Sequence, residues 1–263
     1  MMIAQVLAAL AFGGAIGLPL ALTGSGGSIL AVPILVYAFG HDVPTAAGTS
    51  LAIVGAIATV GAFAHFRAGR VLPVTGLLFG GVGALGAALG ARLNALMPGA
   101  LVLLLFAIVM FVTAGGMLRS SRRPASGDDA YQEPRGLASL ARVIAAGLGV
   151  GVLSGFFGVG GGFLLIPALM LTVRAPVHLA VGTSLFAIAL QSAGGIVGYV
   201  QLGKVDFALA GLSLAGGALG TLAGLRLAKR LSGARLQQVF ASFVIVVALY
   251  LVYRNGMVLM GGV

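Results

Sequence analysis

Ten apolar runs make up almost the whole chain, and its charges fall at the ends of those runs rather than inside them. Backbone carried into hydrocarbon must satisfy its own N–H and C=O groups, so such runs fold as transmembrane helices or as helical pieces buried among them. They lie near residues 3–22, 27–39, 45–66, 71–92 and 98–118, and then 139–156, 160–173, 178–200, 205–228 and 235–253. Of the 263 residues 60% are hydrophobic and only 8% charged, too few charges to cover a water-facing surface. The fold class that follows is all-α, a polytopic transmembrane helical bundle. The 27–39 and 160–173 runs are short for a full crossing and are expected to be broken or re-entrant helices.

The second five runs repeat the first five. Gly24 to Leu51 and Gly158 to Leu185 agree without gaps at 12 of 28 positions, and 167 − 33 = 134 separates their prolines. "GALGAALGARL" (Gly83 to Leu93) and "GALGTLAGLRL" (Gly217 to Leu227) agree at 7 of 11 at the same offset. The expected organisation is a first repeat over residues 1–118, a polar cytoplasmic linker over 119–138 and a second repeat over 139–263. The N-terminal run has no basic start, and its Gly13 and Gly17 recur as Gly147 and Gly151. It is therefore read as part of the mature fold rather than as a signal peptide.

Grouping the turns by parity puts twelve of the fifteen basic residues on one side and Arg92, Lys204 and Arg254 on the other. Basic loops stay cytoplasmic, so both termini are expected outside. Five segments per half is an odd number, which inverts the second repeat relative to the first. The net charge of +10 is thereby explained by loop anchors, with no basic stripe suited to nucleic acid. Lack of cysteine and the scarcity of acids leave little for a metal cluster or carboxylate catalysis, so no cofactor and no enzymatic activity are expected.

The candidate binding residues cluster at the breaks. "GSGGSILAVP" places Gly24, Gly26, Gly27 and Ser28 before one short helix, and "GVGGGFLLIP" places Gly158, Gly160, Gly161 and Gly162 before the other. Helix-start N–H groups lack intrahelical partners, and the positive end of the helix dipole favours an anion there. "GTSL" occurs twice and contributes Thr49, Ser50, Thr183 and Ser184 as hydroxyl donors or as interhelical ties, and Gln191 is an amide within an apolar run. His65 and its equivalent Tyr199 read as interfacial anchors, and the GxxxG pairs read as helix-contact faces.

The duplicated G-x-G-G-x-x-L-x-V/I-P, the twin GTSL and the G-x-R-L closing the fourth and ninth segments resemble the TauE/SafE family of sulfite exporters and related anion permeases. The resemblance implies an inner-membrane carrier exporting small sulfur-containing anions such as sulfite or sulfoacetate. The expected partners are a small anion and the lipid bilayer, with homo-oligomerisation left open. A permease for another solute and a non-transporting scaffold subunit are the rival readings.

Overall fold

In the computed structural model the described residues are 2–23, 26–120, 136–227 and 233–259. They form helices α1 (Met2–Thr23), α2 (Ala31–Tyr37), α3 (Val43–Arg67), α4 (Pro73–Ala95), α5 (Gly99–Ser120) and α6 (Leu137–Phe157). These are followed by α7 (Gly162–Val173), α8 (Val177–Gln201), α9 (Phe207–Leu227) and α10 (Gly233–Leu259). A 3₁₀ turn, Gly26–Leu30, leads directly into α2. Six of the helices are long and apolar enough to cross a bilayer, while α2 and α7 belong to the shorter apolar segments. Each apolar run read from the sequence is a helix, and most of the 119–138 linker lies outside the described residues.

Local chemistry sets the boundaries. Proline stands in the first turn of α3 and α4, where a missing N–H removes no helical bond. Gly69 and Gly203 follow α3 and α8 with φ of 67° and 65°, a left-handed conformation that ends a helix without steric cost to glycine. The boundaries repeat at the sequence offset: 177 − 43 = 134 at the starts of α3 and α8, and 201 − 67 = 134 at their ends.

Glycine faces bring the helices together. Gly13 and Gly17 of α1 lie against the backbone at Ser213 and Gly217 of α9, and Gly224 faces Leu18 and Ala21, so α1 and α9 run parallel. Gly147, Gly151 and Gly155 of α6 meet Phe79, Gly83 and Ala87 of α4 in the same manner. Side chains there would hold the backbones apart, as in small-residue membrane interfaces. The GxxxG pairs are contact faces.

Helices α3 and α8 pack with their directions opposed. Gly48 near the start of α3 meets Tyr199 and Lys204, and Gly182 near the start of α8 meets His65 and Arg70. These two contacts are one pattern with the roles of the helices exchanged. The bundle therefore has an Asp42 end, with Lys204 bonded to Asp42 and Arg92 to Gln201, and an Arg70 end, where Leu72 meets Thr183. Arg254, over the ring of Tyr37 near the start of α3, belongs to the Asp42 end. Arg67, Arg119, Arg142, Arg174 and Arg226 terminate or begin helices at the Arg70 end.

Candidate functional site

The second glycine break turns sharply. Gly158, Gly160 and Gly161 all adopt φ near 70° (72°, 67° and 69°), a run of left-handed residues open to glycine at little cost. Gly158 and Val159 donate to the Ser154 carbonyl, closing α6, while Leu164 and Leu165 donate to Gly161, opening α7. Between them, the N–H groups of residues 160–163 find no backbone acceptor among the described residues. Four donors at a helix start are thus left pointing into the protein.

This turn lies deep in the bundle. A methyl group added at Gly160 would come 2.9 Å from Val54 Cγ1 and 3.0 Å from Ile188 Cγ2. Val54 and Ile188 are each the twelfth residue of a 25-residue helix, so the start of α7 sits at their mid-length. Around it, Gln191 Oε1 is 3.0 Å and Ser154 Cβ 3.1 Å from where a Gly161 methyl would be, and Ser192 Oγ is 3.4 Å from one at Gly160. Ser154, Gln191 and Ser192 are fully buried. Ser154 Oγ, Gln191 Oε1 and Ser192 Oγ have no hydrogen-bond partner among the described residues. Each unpartnered buried polar atom costs about 1–3 kcal/mol unless a ligand or water satisfies it.

The first break differs. Its 3₁₀ turn folds back onto α1, with Gly27 against Ile16 and Leu20, and it touches α7, so the two breaks adjoin. At the 134 offset, however, Leu20, Ile57 and Ala58 stand where the second half has Ser154, Gln191 and Ser192. Among the described residues the three polar side chains beside the second break have apolar counterparts at the first, whose own buried polar residue is Ser28.

A family model described as sulfite exporter TauE/SafE matches residues 9–251. The chain belongs to the TauE/SafE family. A probable membrane transporter protein of Xylella fastidiosa (strain 9a5c) is 37% identical over 258 residues, covering 97% of this chain and 98% of that one. The probable membrane transporter protein YdhB of Bacillus subtilis (strain 168) is 32% identical over 194 residues, covering 74% of this chain and 78% of the other. No solved structure matches the chain. The chain is a polytopic membrane transporter and not an enzyme.

In this TauE/SafE chain the predicted residues divide between site and framework. Gly160, Gly161, Gly162 and Gln191 converge on the start of α7, with Gly158 at the turn that precedes it, beside Ala47 of α3. Gly26, Gly27 and buried Ser28 form the 3₁₀ turn, and Gly24 lies outside the described residues. Thr49 and Thr183 sit at opposite ends of the bundle, where Thr49 Oγ1 accepts the Asp206 N–H and Thr183 Oγ1 the Leu72 N–H, both at 2.9 Å. Each caps the start of a neighbouring helix. Ser184 Oγ donates to the Val181 carbonyl at 2.8 Å, whereas Ser50 is buried with no partner among the described residues. Ser50 is one turn from Ala47 and Val54, which contact the break.

Tyr199 and His65 are not interfacial anchors. Tyr199 is fully buried and its hydroxyl donates 2.9 Å to the Gly155 carbonyl, an orphan acceptor in the last turn of α6; both ring nitrogens of His65 are buried. Their helices face each other across the bundle, which turns these side chains inward. Ser154 and Ser192 join the site without having been singled out in the sequence. The readable signal was serine in one repeat opposite leucine and alanine in the other.

Proposed function

We propose that the chain is a secondary transporter that exports small sulfur-containing anions, such as sulfite, sulfoacetate and related organosulfonates, by alternating access across the inner (plasma) membrane. One observation carries this reading: the start of α7, with its unpartnered N–H groups and three buried polar oxygens without partners, Ser154 Oγ, Gln191 Oε1 and Ser192 Oγ, at the mid-length of α3 and α8. An anion there exchanges hydration for fixed, charge-assisted donors and the favourable end of a helix dipole. Asp42 and Asp206, the acids among the described residues, lie at one end of the bundle rather than beside the site.

The excess of basic residues at the Arg70 end supports a cytoplasmic position for that end, with both termini outside. Paired contacts at the 134 offset with helix roles exchanged support two inverted repeats that rock against each other. Sulfur chemistry enters through the family description alone.

Proteoliposomes loaded with sulfite or sulfoacetate test the reading. Saturable efflux, competed by the other sulfur anions but not by chloride, and lost in Gly161→Val, is expected. Intact protein that moves none of them under any imposed gradient removes the carrier reading, and flux of a metal cation in their place removes the substrate class.

A further inference from the structure

The constant offset lets the two ends of the bundle be compared side chain by side chain. The backbone ties are the same at both: Thr49 holds Asp206 at one end as Thr183 holds Leu72 at the other. The side-chain links are not.

At the Asp42 end Lys204 Nζ donates to Asp42 Oδ2 at 3.0 Å, and His41 Nε2 lies 3.5 Å from Asp206 Oδ2. The equivalent residues at the Arg70 end are Arg70 with Pro176 and Leu72 with Ala175, so neither equivalent pair contains a carboxylate. Arg92 Nη2 donates to Gln201 Oε1 at 3.3 Å, while the equivalents Arg226 and Arg67 are both cations. Tyr199 bonds the Gly155 carbonyl, while its equivalent His65 has two buried nitrogens and no partner among the described residues.

Helix packing follows the same division. α4 lies along α8 from Gly76 beside Phe186 to Gly198 beside Ala91 and Ala88. In the equivalent pair, α3 with α9, Ala210, Leu214, Val60 and Ala64 replace Gly76, Gly80, Gly194 and Gly198, and the contact is much less extensive. A cleft of about 380 Å³ lies between α3 and α8 toward the Arg70 end, lined by Phe63, Phe66, Phe186 and Leu190 among others.

We infer that the Lys204–Asp42, His41–Asp206 and Arg92–Gln201 links form the gate of the transport route at the Asp42 end, braced by the Tyr199–Gly155 bond within the second repeat, and that this gate is shut in the structure. Rocking the repeats apart at that end breaks all three. Opening the bundle at the Arg70 end breaks no equivalent link among the described side chains. Lys204 and Asp42 are 41% and 52% exposed, so each such pair favours the shut state by no more than about fivefold, weak enough to be reversed every cycle.

The chain has no cysteine, so single replacements report accessibility cleanly. Ser50→Cys lies beneath the proposed gate, and its equivalent Ser184→Cys lies beneath the opposite end. Both are labelled with a charged methanethiosulfonate reagent on purified full-length protein in detergent. Adding Lys204→Met with Asp206→Asn is expected to quicken labelling at Ser50→Cys by about 3- to 20-fold and to slow it at Ser184→Cys. The exchanged pair Asp42→Lys with Lys204→Asp returns the Ser50→Cys rate toward that of the parent. An unchanged rate at Ser50→Cys overturns the gate, and so does a parallel rise at both reporters, which marks general loosening. None of these readouts depends on which solute is carried.

Discussion

Gly161→Ala separates the site from the backbone that builds it. Gly161 has φ of 69°, and alanine in that conformation costs about 1–2 kcal/mol. Gly69 has nearly the same φ, 67°, but nothing within 4 Å of an added methyl, so Gly69→Ala carries the conformational cost alone. At Gly161 the methyl also meets Gln191 Oε1 at 3.0 Å and Ser154 Cβ and Val150 Cγ1 at 3.1 Å, and it occupies the space over the free N–H groups. Losing one charge-assisted hydrogen bond of about 1.5–3 kcal/mol weakens anion binding by about 10- to 150-fold. The assay is titration of sulfite into both purified variants, with urea or thermal unfolding in detergent read in parallel. Gly161→Ala is expected to be the less stable of the two, with the affinity loss confined to it. Unchanged sulfite affinity in folded Gly161→Ala refutes the reasoning.

Gln191→Leu, which copies the apolar Ile57 of the first repeat, removes an unpartnered acceptor together with the 3.4 Å bond from Nε2 to the Phe79 carbonyl; the two offset, so unfolding stability is expected to change by no more than about 1 kcal/mol while flux falls at least tenfold. Gly155→Ala drives a methyl into the Ala87 carbonyl and is expected to abolish folded expression, whereas Gly149→Ala, with open space around it, is tolerated; size-exclusion profiles distinguish them. Tyr199→Phe strips the bond from the Gly155 carbonyl and is expected to lower stability by about 1–3 kcal/mol in an unfolding titration. Burial alone would raise the Asp42 carboxyl, but hydrogen bonds from Thr45 and Lys204 and the ammonium charge outweigh it and hold the group below its ordinary 3.8. Its lowered value means the Lys204 pairing is complete above pH 3.8 and is lost as pH falls through the folded value. In a His41→Gln background, gating by this pair is therefore flat from neutral pH to about pH 5, as followed by the ratio of Ser50→Cys labelling rates with and without Lys204→Met at each pH, which cancels the changing thiolate fraction. A change across that range contradicts the assignment.

The helices were legible because hydrocarbon permits so few alternatives: apolar runs, proline at helix starts and glycine after them place α3, α4, α8 and α9 within a few residues. The repeat was legible because its offset is free of gaps. The difference between the breaks was not. Gly27 and Gly161 align, yet one lies in a 3₁₀ turn and the other is left-handed, a choice made by surroundings contributed from α1, α6 and α8. The threonines of GTSL look like ligands because their capping targets, Asp206 and Leu72, are 157 and 111 residues away. Ser154 and Ser192 stand out only when set against Leu20 and Ala58 of the other repeat.

Selenite, a heavier analogue of sulfite, allows the bound anion to be located by anomalous scattering from crystals of the full-length chain. The account predicts one selenium peak placed so that the selenite oxygens accept from the N–H groups of residues 160–163 and from the Ser154 hydroxyl. A peak held instead by Arg67 and Arg70 at the end of the bundle, with the start of α7 still closed by Val54 and Ile188, would contradict it.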